Sequence, residues 1–120
     1  MAEKRKAARR PVFVTTIIRK AGPRGGEENP EFEIMEFRTK DMSTGGIFIS
    51  TEDLSLFDLG DEVEILVDDN GTRYYEGKAR VVRSARVFSK EGNPVESGFG
   101  LMFMSPDAEF MGMVTRKLKG

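Results

Sequence analysis

Short polar side chains and two glycines occur together in the segment 41–50, DMSTGGIFIS. Asp41 and Ser43 are residue types that bond to their own backbone and initiate turns. Gly45 and Gly46 lack a Cβ, so they allow another group to approach the backbone closely. The apolar run that follows is typical of a strand. The segment therefore predicts a polar turn at the start of a strand, with its polar groups facing outward as a ligand-binding corner.

Arg5 and Arg9 lie in a basic segment upstream, residues 1–11, which has no apolar periodicity. We interpret this segment as a flexible arm that becomes ordered when a ligand binds. Residues 1–24 carry a net charge of +7 and the rest of the chain carries −8, which together give the formal charge of −1. A cationic arm on an acidic body favours one localised anionic ligand over a general affinity for nucleic acid. The alternative is a solvated arm that folds onto its own acidic surface.

The composition limits the chemistry that these residues can perform. The chain has 120 residues, enough for one domain with one modest core, and contains neither Cys nor His. The missing residue types exclude disulfides and thiolate metal sites and remove the commonest general base. No run of about 18 apolar residues is present, and no apolar segment follows the basic N-terminus, so neither a membrane span nor a secretory signal is expected. We predict a cytoplasmic protein that is not an enzyme and needs no metal or cofactor.

Six segments are predicted as strands from their alternation, their β-branched residues and the turn residues between them. They are residues 12–19, 31–40, the run from the turn at Asp41 to about 51, 62–67, 72 to about 88, and 98–103. The residues expected to share a face are Val12, Val14, Thr16 and Ile18; Val63, Ile65 and Val67; Tyr75, Gly77, Ala79 and Val81; and Phe99, Leu101 and Phe103. Short strands at hairpin spacing favour a small closed barrel.

Four local features refine this pattern. The alternation of residues 31–40 changes phase in its middle, which predicts a bulge that helps the sheet curl. The small residues Gly77 and Ala79 predict a sharp bend in the fifth strand. Residues 68–71, DDNG, are a strong hairpin signal. The apolar connection 52–61 is expected to lie over one mouth of the barrel.

A helix is predicted at about 106–118, after the last strand. Ser105 is the expected N-cap and Pro106 the first helical residue, since both residue types are favoured at these positions. Its apolar stripe is formed by Phe110, Met111, Val114 and Leu118. The predicted fold is therefore mainly β: a flexible basic arm, 1–11, followed by a small six-stranded antiparallel barrel with a C-terminal α-helix, 12–120.

Two motifs of this sequence resemble the signature motifs of PilZ domains, which are bacterial receptors for cyclic di-GMP: Arg5-x-x-x-Arg9 ahead of the first strand, and Asp41-x-Ser43-x-x-Gly46. The two glycine-containing strands and the terminal helix follow in the order expected for that family. The resemblance implies a six-stranded barrel that binds cyclic di-GMP without catalysis. It implies that Arg5 and Arg9 clamp phosphates and stack on guanine. It further implies that Asp41 and Ser43 bind the guanine edge, and that Gly46 leaves room for the ligand.

Arg10 and Gly45 are additional candidate ligand residues, because Lys6 and Arg10 repeat the spacing of the arginine pair and Gly45 precedes Gly46. The expected function is a cyclic di-GMP receptor whose arm changes conformation and which regulates an unidentified partner protein, in motility or exopolysaccharide control. One alternative is a PilZ-like protein-interaction module that does not bind the nucleotide. Another is a nucleic-acid-binding barrel, which is disfavoured because the strands lack clustered exposed aromatic residues interleaved with basic ones.

Overall fold

Over residues 10–21 and 32–119, which the computed structural model describes, six antiparallel strands close into a barrel and one helix follows. The elements are β1 (Arg10–Ala21), β2 (Phe32–Met42), β3 (Gly46–Ser50), β4 (Glu62–Asp69), β5 (Arg73–Phe88), β6 (Pro94–Phe103) and α1 (Ala108–Lys119). Around the barrel the strands follow the order β1-β2-β3-β6-β5-β4. The predicted fold class, a small antiparallel barrel with a C-terminal helix, is confirmed.

The first strand begins earlier than the sequence indicated. Arg10 and Pro11 were placed in the arm, but they form the first two residues of β1 and pair with Met42 and Asp41 of β2. Residues 1–9 of the predicted arm lie outside the described part of the chain. The junction between arm and barrel is therefore fixed beside the end of β2.

Alternating side chains of each strand fill the interior of the barrel. The predicted shared faces of β4 and β6 both point into this core, and their side chains are at most 8% exposed. In β5, Ala79 and Val81 are fully buried, whereas Tyr75 and Gly77 are half-buried. The hydroxyls of Thr16 and Thr39 are hydrogen-bonded to each other inside the core, which satisfies both polar groups. The core is thus continuous from strand to strand.

The connection between β3 and β4 contributes one aromatic side chain to the core. Phe57 is 4% exposed, and its ring meets Phe99 edge-on at a centroid distance of 5.1 Å and Phe37 at 6.0 Å. Leu54 and Leu56 are partly buried against the same core, while Leu59 is exposed. Burial of one Phe side chain contributes about 1.5–3 kcal/mol, so this connection is anchored rather than loose.

The bulge predicted in the middle of residues 31–40 is wrong in position. Pairing of β2 with β1 runs without a shift from Phe32 to Thr39, and the irregularity against β3 falls between Thr39 and Asp41. Phe32 and Ile34, which produced the apparent change of phase, are apolar residues exposed on the outer face. Their apolar character therefore does not indicate that they are buried. The bulge of β2 lies at Lys40.

The sharp bend predicted at Gly77 and Ala79 is also wrong. Pairing of β5 with β4 is regular through both positions. A Cβ added at Gly77 would lie 2.9 Å from the ring of Phe110, so the glycine makes space for the helix. Ala79 is fully buried inside the barrel. The irregularities of β5 lie at Val82 and between Val87 and Phe88 instead.

The helix starts two residues later than predicted, because its N-cap is Asp107 and not Ser105. The backbone N–H of Phe110 donates to Oδ1 of Asp107 at 2.8 Å, the N-cap to N3 bond of a capped helix. Ser105 has φ of 45° and lies in the left-handed region ahead of the helix. Phe110 and Val114 are buried as predicted, together with Met113, which the predicted stripe had omitted.

The C-terminal turn of the helix is tied to the β4–β5 hairpin by an ion-pair cluster. Nη2 of Arg116 lies 3.2 Å from Oδ2 of Asp69 and 3.0 Å from the Tyr75 hydroxyl, and Nζ of Lys117 lies 3.4 Å from Oδ1 of Asp69. Desolvation alone would raise the pKa of the Asp69 carboxyl, but the hydrogen bonds and charges of Arg116 and Lys117 outweigh it and lower that pKa. The cluster thus stabilises the charged form of Asp69.

A pair of Gly→Ala substitutions tests how the helix docks. Gly77→Ala should lower the free energy of unfolding by about 1–3 kcal/mol, because its Cβ would overlap the Phe110 ring. Gly112→Ala is the matched control within α1, where the nearest heavy atom is 3.7 Å away. It should raise stability by roughly 0.5–1 kcal/mol through helix propensity. Urea denaturation measures both, and equal effects of the two variants would contradict the proposed packing.

The lowered pKa of Asp69 predicts a pH-dependent contribution to stability. A carboxyl with a lowered folded pKa stabilises the fold fully above its unfolded pKa, near 4, and loses this contribution as the pH falls through the folded value. Asp69→Asn should therefore be less stable than wild type at pH 7 and approach it at the most acidic pH where both fold. Thermal unfolding from pH 7 downward measures the difference. A gap that stays constant over this range would exclude the linkage.

Candidate functional site

Five residues on five neighbouring strands form a row across the sheet. Direct Cα partners are Pro11 with Asp41, Asp41 with Phe48, Phe48 with Gly100, and Gly100 with Arg83. Directly opposed residues point to the same face of a sheet. From strand spacings of about 4.8 Å, the Cα atoms of Asp41 and Arg83 are separated by about 14 Å. We call these five residues the outer row.

The row lies on the outer face because the neighbours of Phe48 point inward. Ile47 and Ile49 are fully buried in the core inside the barrel, and alternation turns Phe48 to the opposite side. Phe48 is only 1% exposed, yet it does not belong to that core cluster. Phe48 is therefore buried on the outer side of the sheet and not inside the barrel.

Register shifts orient the two charged side chains of the row, Asp41 and Arg83. Thr39 points into the core, so strict alternation would also turn Asp41 inward; the shift between them turns Asp41 outward. Val81 is likewise buried, and the shift between Val81 and Arg83 turns Arg83 outward. Bulges are a common means of re-aiming a side chain. The carboxylate and the guanidinium thus both face the outer surface.

The turn that joins β2 to β3 is held by Ser43. Its backbone N–H donates to the Gly46 carbonyl at 2.9 Å, and its Oγ accepts from the Gly45 N–H at 3.1 Å. The Ser43 residue is 2% exposed. Asp41, which the sequence placed in this turn, belongs to β2 instead. The polar corner is therefore a strand end plus a turn, fixed by backbone hydrogen bonds.

Gly46 is required by the pairing of β3 with β6. A Cβ at this position would lie 2.1 Å from the carbonyl oxygen of Leu101. Removing this overlap would require the backbone of β3 or β6 to move. At Gly45 the nearest atom to an added Cβ is Oγ of Ser43, at 3.9 Å. The two adjacent glycines thus differ: only Gly46 has a side-chain position occupied by another strand.

A surface groove runs beside the outer row. Val82 and Met102 are half-exposed apolar residues at its sides, and Arg83 is the one charged side chain among its described lining residues. The full lining is Ser43, Gly45, Gly46, Val82, Arg83, Gly100, Leu101 and Met102. Glycine backbone, apolar walls and one cation suit a flat, partly anionic ligand.

Another groove on the barrel has a different character. It is lined in part by Arg19, Glu62, Glu64 and Lys78, and Arg19 is ion-paired with Glu64. Its cations are matched by carboxylates, which disfavours an anionic ligand there. Within residues 10–21 and 32–119, no three acidic side chains gather as a metal site. In the same part of the chain, no helix is long and apolar enough to cross a membrane.

The structure brings together four of the seven predicted site residues: Asp41, Ser43, Gly45 and Gly46. Arg10 lies next to them in β1, opposite Met42, but its Nη1 donates to the Leu118 carbonyl at 2.8 Å. Arg5 and Arg9 lie outside the described residues. Sequence reasoning missed Arg83 and Gly100, since their place in the row depends on a register shift that only the partner strand defines.

The sequence matches the PilZ domain family over residues 3–119. Among curated proteins the chain has no significant match.

Three solved structures illustrate the similarity in fold. The PilZ domain with c-di-GMP of YcgR from Escherichia coli is 14% identical, with a TM-score of 0.62 and coverage of 95% of this chain and 88% of that one. The Bacillus subtilis inhibitor of motility MotI/DgrA is 17% identical, with a TM-score of 0.69 and coverage of 98% and 51%. The MrkH–c-di-GMP complex of K. pneumonia is 12% identical, with a TM-score of 0.67 and coverage of 98% and 52%. The chain therefore spans about half the length of the last two proteins.

The adjacent glycines allow a matched test of the corner. Gly46→Ala should lower the free energy of unfolding by about 1–3 kcal/mol or more, because its Cβ would collide with a β6 carbonyl. Gly45→Ala should change it by less than about 0.5 kcal/mol. Chemical denaturation of both variants beside wild type measures the difference. If Gly46→Ala unfolds like Gly45→Ala, the close approach of β3 and β6 is not real.

Proposed function

Because the chain belongs to the PilZ domain family, we propose that it is a receptor for cyclic di-GMP that regulates a partner protein by rearranging its N-terminal arm. The observation that carries this proposal is the pairing of Pro11 with Asp41, which joins the basic arm to the barrel directly beside the polar corner. The basic arm and the carboxylate corner therefore adjoin, and one ligand can contact both. In the proposed receptor, binding and not catalysis is the activity.

The length of the chain allows the arm to reach the corner. Arg9 immediately precedes Arg10, which pairs with Met42. An extended chain spans at most about 3.3–3.6 Å per residue, so Arg5 stays within roughly 18 Å of Arg10. Both arginines of the motif are therefore within range of a ligand seated over Asp41. This supports their proposed role as a clamp on the phosphates.

The chemistry of cyclic di-GMP fits the groups at this corner. Its two phosphodiesters suit guanidinium groups, which bind phosphate oxygens as a fork and also stack on purines. The Asp41 carboxylate can accept from the guanine N1–H and the exocyclic amino group. Hydrogen bonds to charged groups contribute roughly 1.5–3 kcal/mol each. Three or four of them, less the cost of ordering the arm, correspond to roughly micromolar affinity.

The contact of Arg10 offers a way to transmit binding to a partner. Arg10 bonds the Leu118 carbonyl near the C-terminal end of α1, so the root of the arm links the corner to the helix. We propose that an arm drawn onto the ligand changes the surface formed by its root and α1, which a partner protein then recognises. Motility or exopolysaccharide control in the cytoplasm is the proposed setting. One structural neighbour is itself described as an inhibitor of motility.

Calorimetry with cyclic di-GMP tests the receptor proposal. Wild type should bind with roughly micromolar affinity, and Arg9→Ala and Asp41→Asn should each weaken binding roughly 10- to 100-fold, as expected for the loss of one charge-assisted hydrogen bond. Lys4→Ala in the arm and Asp53→Asn in the β3–β4 connection are controls with matched charge changes, and both should bind like wild type.

Two outcomes would count against the proposal. Absence of heat from wild type at high micromolar cyclic di-GMP would remove the receptor function. Binding that survives both Arg9→Ala and Asp41→Asn would place the nucleotide elsewhere on the barrel. In the first case, retention of a partner by the Arg5→Ala, Arg9→Ala double variant would favour the interaction module.

A further inference from the structure

Arg83 has an unusual position for an exposed arginine of this barrel. Its guanidinium carbon lies 5.5 Å from the centroid of the Phe48 ring, two strands away. Among the residues that the structure describes, no carboxylate or carbonyl accepts a hydrogen bond from it. By contrast, its strand neighbours Arg80 and Arg86 are bonded to the Glu62 carboxylate and the Glu52 carbonyl. The charge of Arg83 is thus held in place by an aromatic ring and left without an anion.

Gly100 makes this position possible. It stands between Phe48 and Arg83 in the outer row, and a Cβ there would lie 3.3 Å from Nε of Arg83. The missing side chain opens a trough over β6 through which the arginine reaches back towards Phe48. A cation over an aromatic face is attracted by the ring, so this contact positions the guanidinium without using its N–H donors.

We infer, on the basis of the proposed function, that Arg83 is a further ligand-binding residue that pairs with a phosphodiester of the cyclic dinucleotide. Three observations support this role: Arg83 is the one charged side chain among the described residues of the groove, it lacks an anionic partner there, and it faces the same surface as Asp41. A doubly anionic ligand that leaves water needs cationic partners.

Arg83 and the arm would contact the ligand from opposite ends of the outer row. The arm joins the barrel at β1, at one end of the outer row, and Arg83 stands on β5 at the other end. A nucleotide seated over Phe48 and Gly100 would therefore be held by cations from two sides, with Asp41 selecting guanine. Arg83 belongs to β5 and not to the arm, so the barrel itself supplies this charge.

Calorimetric titration with cyclic di-GMP tests this role. Arg83→Gln should weaken binding roughly 10- to 100-fold, whereas Arg83→Lys, which keeps the charge but loses the fork, should fall between it and wild type. Arg86→Gln is the matched control, since it removes the same charge from the same strand outside the groove. Gly100→Ala should also weaken binding, because its Cβ displaces Arg83 without removing a charge. Thermal unfolding checks that each variant is folded.

The salt dependence of binding identifies the group that Arg83 contacts. If it neutralises a phosphodiester, affinity should fall less steeply with added salt in Arg83→Gln than in Arg86→Gln, because fewer ions are displaced. Equal slopes for the two variants would overturn the assignment to phosphate and favour the guanine edge.

The failures of the two proposals are distinguishable. Equal affinities of Arg83→Gln and Arg86→Gln, with tight binding by wild type, would refute the role of Arg83 and leave the receptor function intact. Absence of binding by wild type would overturn both.

Discussion

The candidate site depends on two one-residue register shifts, at Lys40 and at Val82. Side chains alternate along a strand, so without these shifts Asp41 and Arg83 would point into an apolar core. The fully buried residues Thr39 and Val81 fix the phase of each strand ahead of the shift. A buried charge without a partner is far more costly than a bulge, so the core itself enforces the outward direction of both side chains.

Glycines determine how closely β3 and β6, two strands of the outer row, can approach each other. Gly46 and Gly98 lie where a Cβ would be 2.1 Å and 1.9 Å from carbonyl oxygens of the facing strand, so β3 and β6 pack backbone to backbone. Gly100 has a different role, because the group nearest to an added Cβ is the Arg83 side chain and not backbone. Gly45, Gly46 and Gly100 line the groove without side chains, and the Arg83 guanidinium lies over the Phe48 ring beside it. Close access to the backbone at these three positions suits a planar ligand.

The sequence predicted the barrel because most of its inward positions alternate cleanly, as in Val63, Ile65 and Val67. It also predicted a polar turn before β3, since short polar residues and glycines have strong local preferences, but it placed Asp41 in that turn rather than in β2. Errors arose where local pattern and tertiary contact differ. The exposed residue Ile34 made the alternation of β2 look as if it changed phase. Asp107 rather than Ser105 caps the helix. The place of Arg83 could not be predicted, since a register shift is a property of two strands and not of one.

Closure of the barrel restricts how a ligand signal can spread. Each strand is paired on both sides, so sliding one strand would break hydrogen bonds along two ladders at once. The contact of Arg10 with the Leu118 carbonyl is a single exposed hydrogen bond by comparison. It places a cation at the end of α1 where the helix dipole is negative, a contribution of typically 0.3–1 kcal/mol. A ligand that draws the arm towards Asp41 competes with an interaction of this size and not with the core. In the proposed receptor, the response is therefore confined to the arm and the end of α1, while the barrel serves as a rigid support.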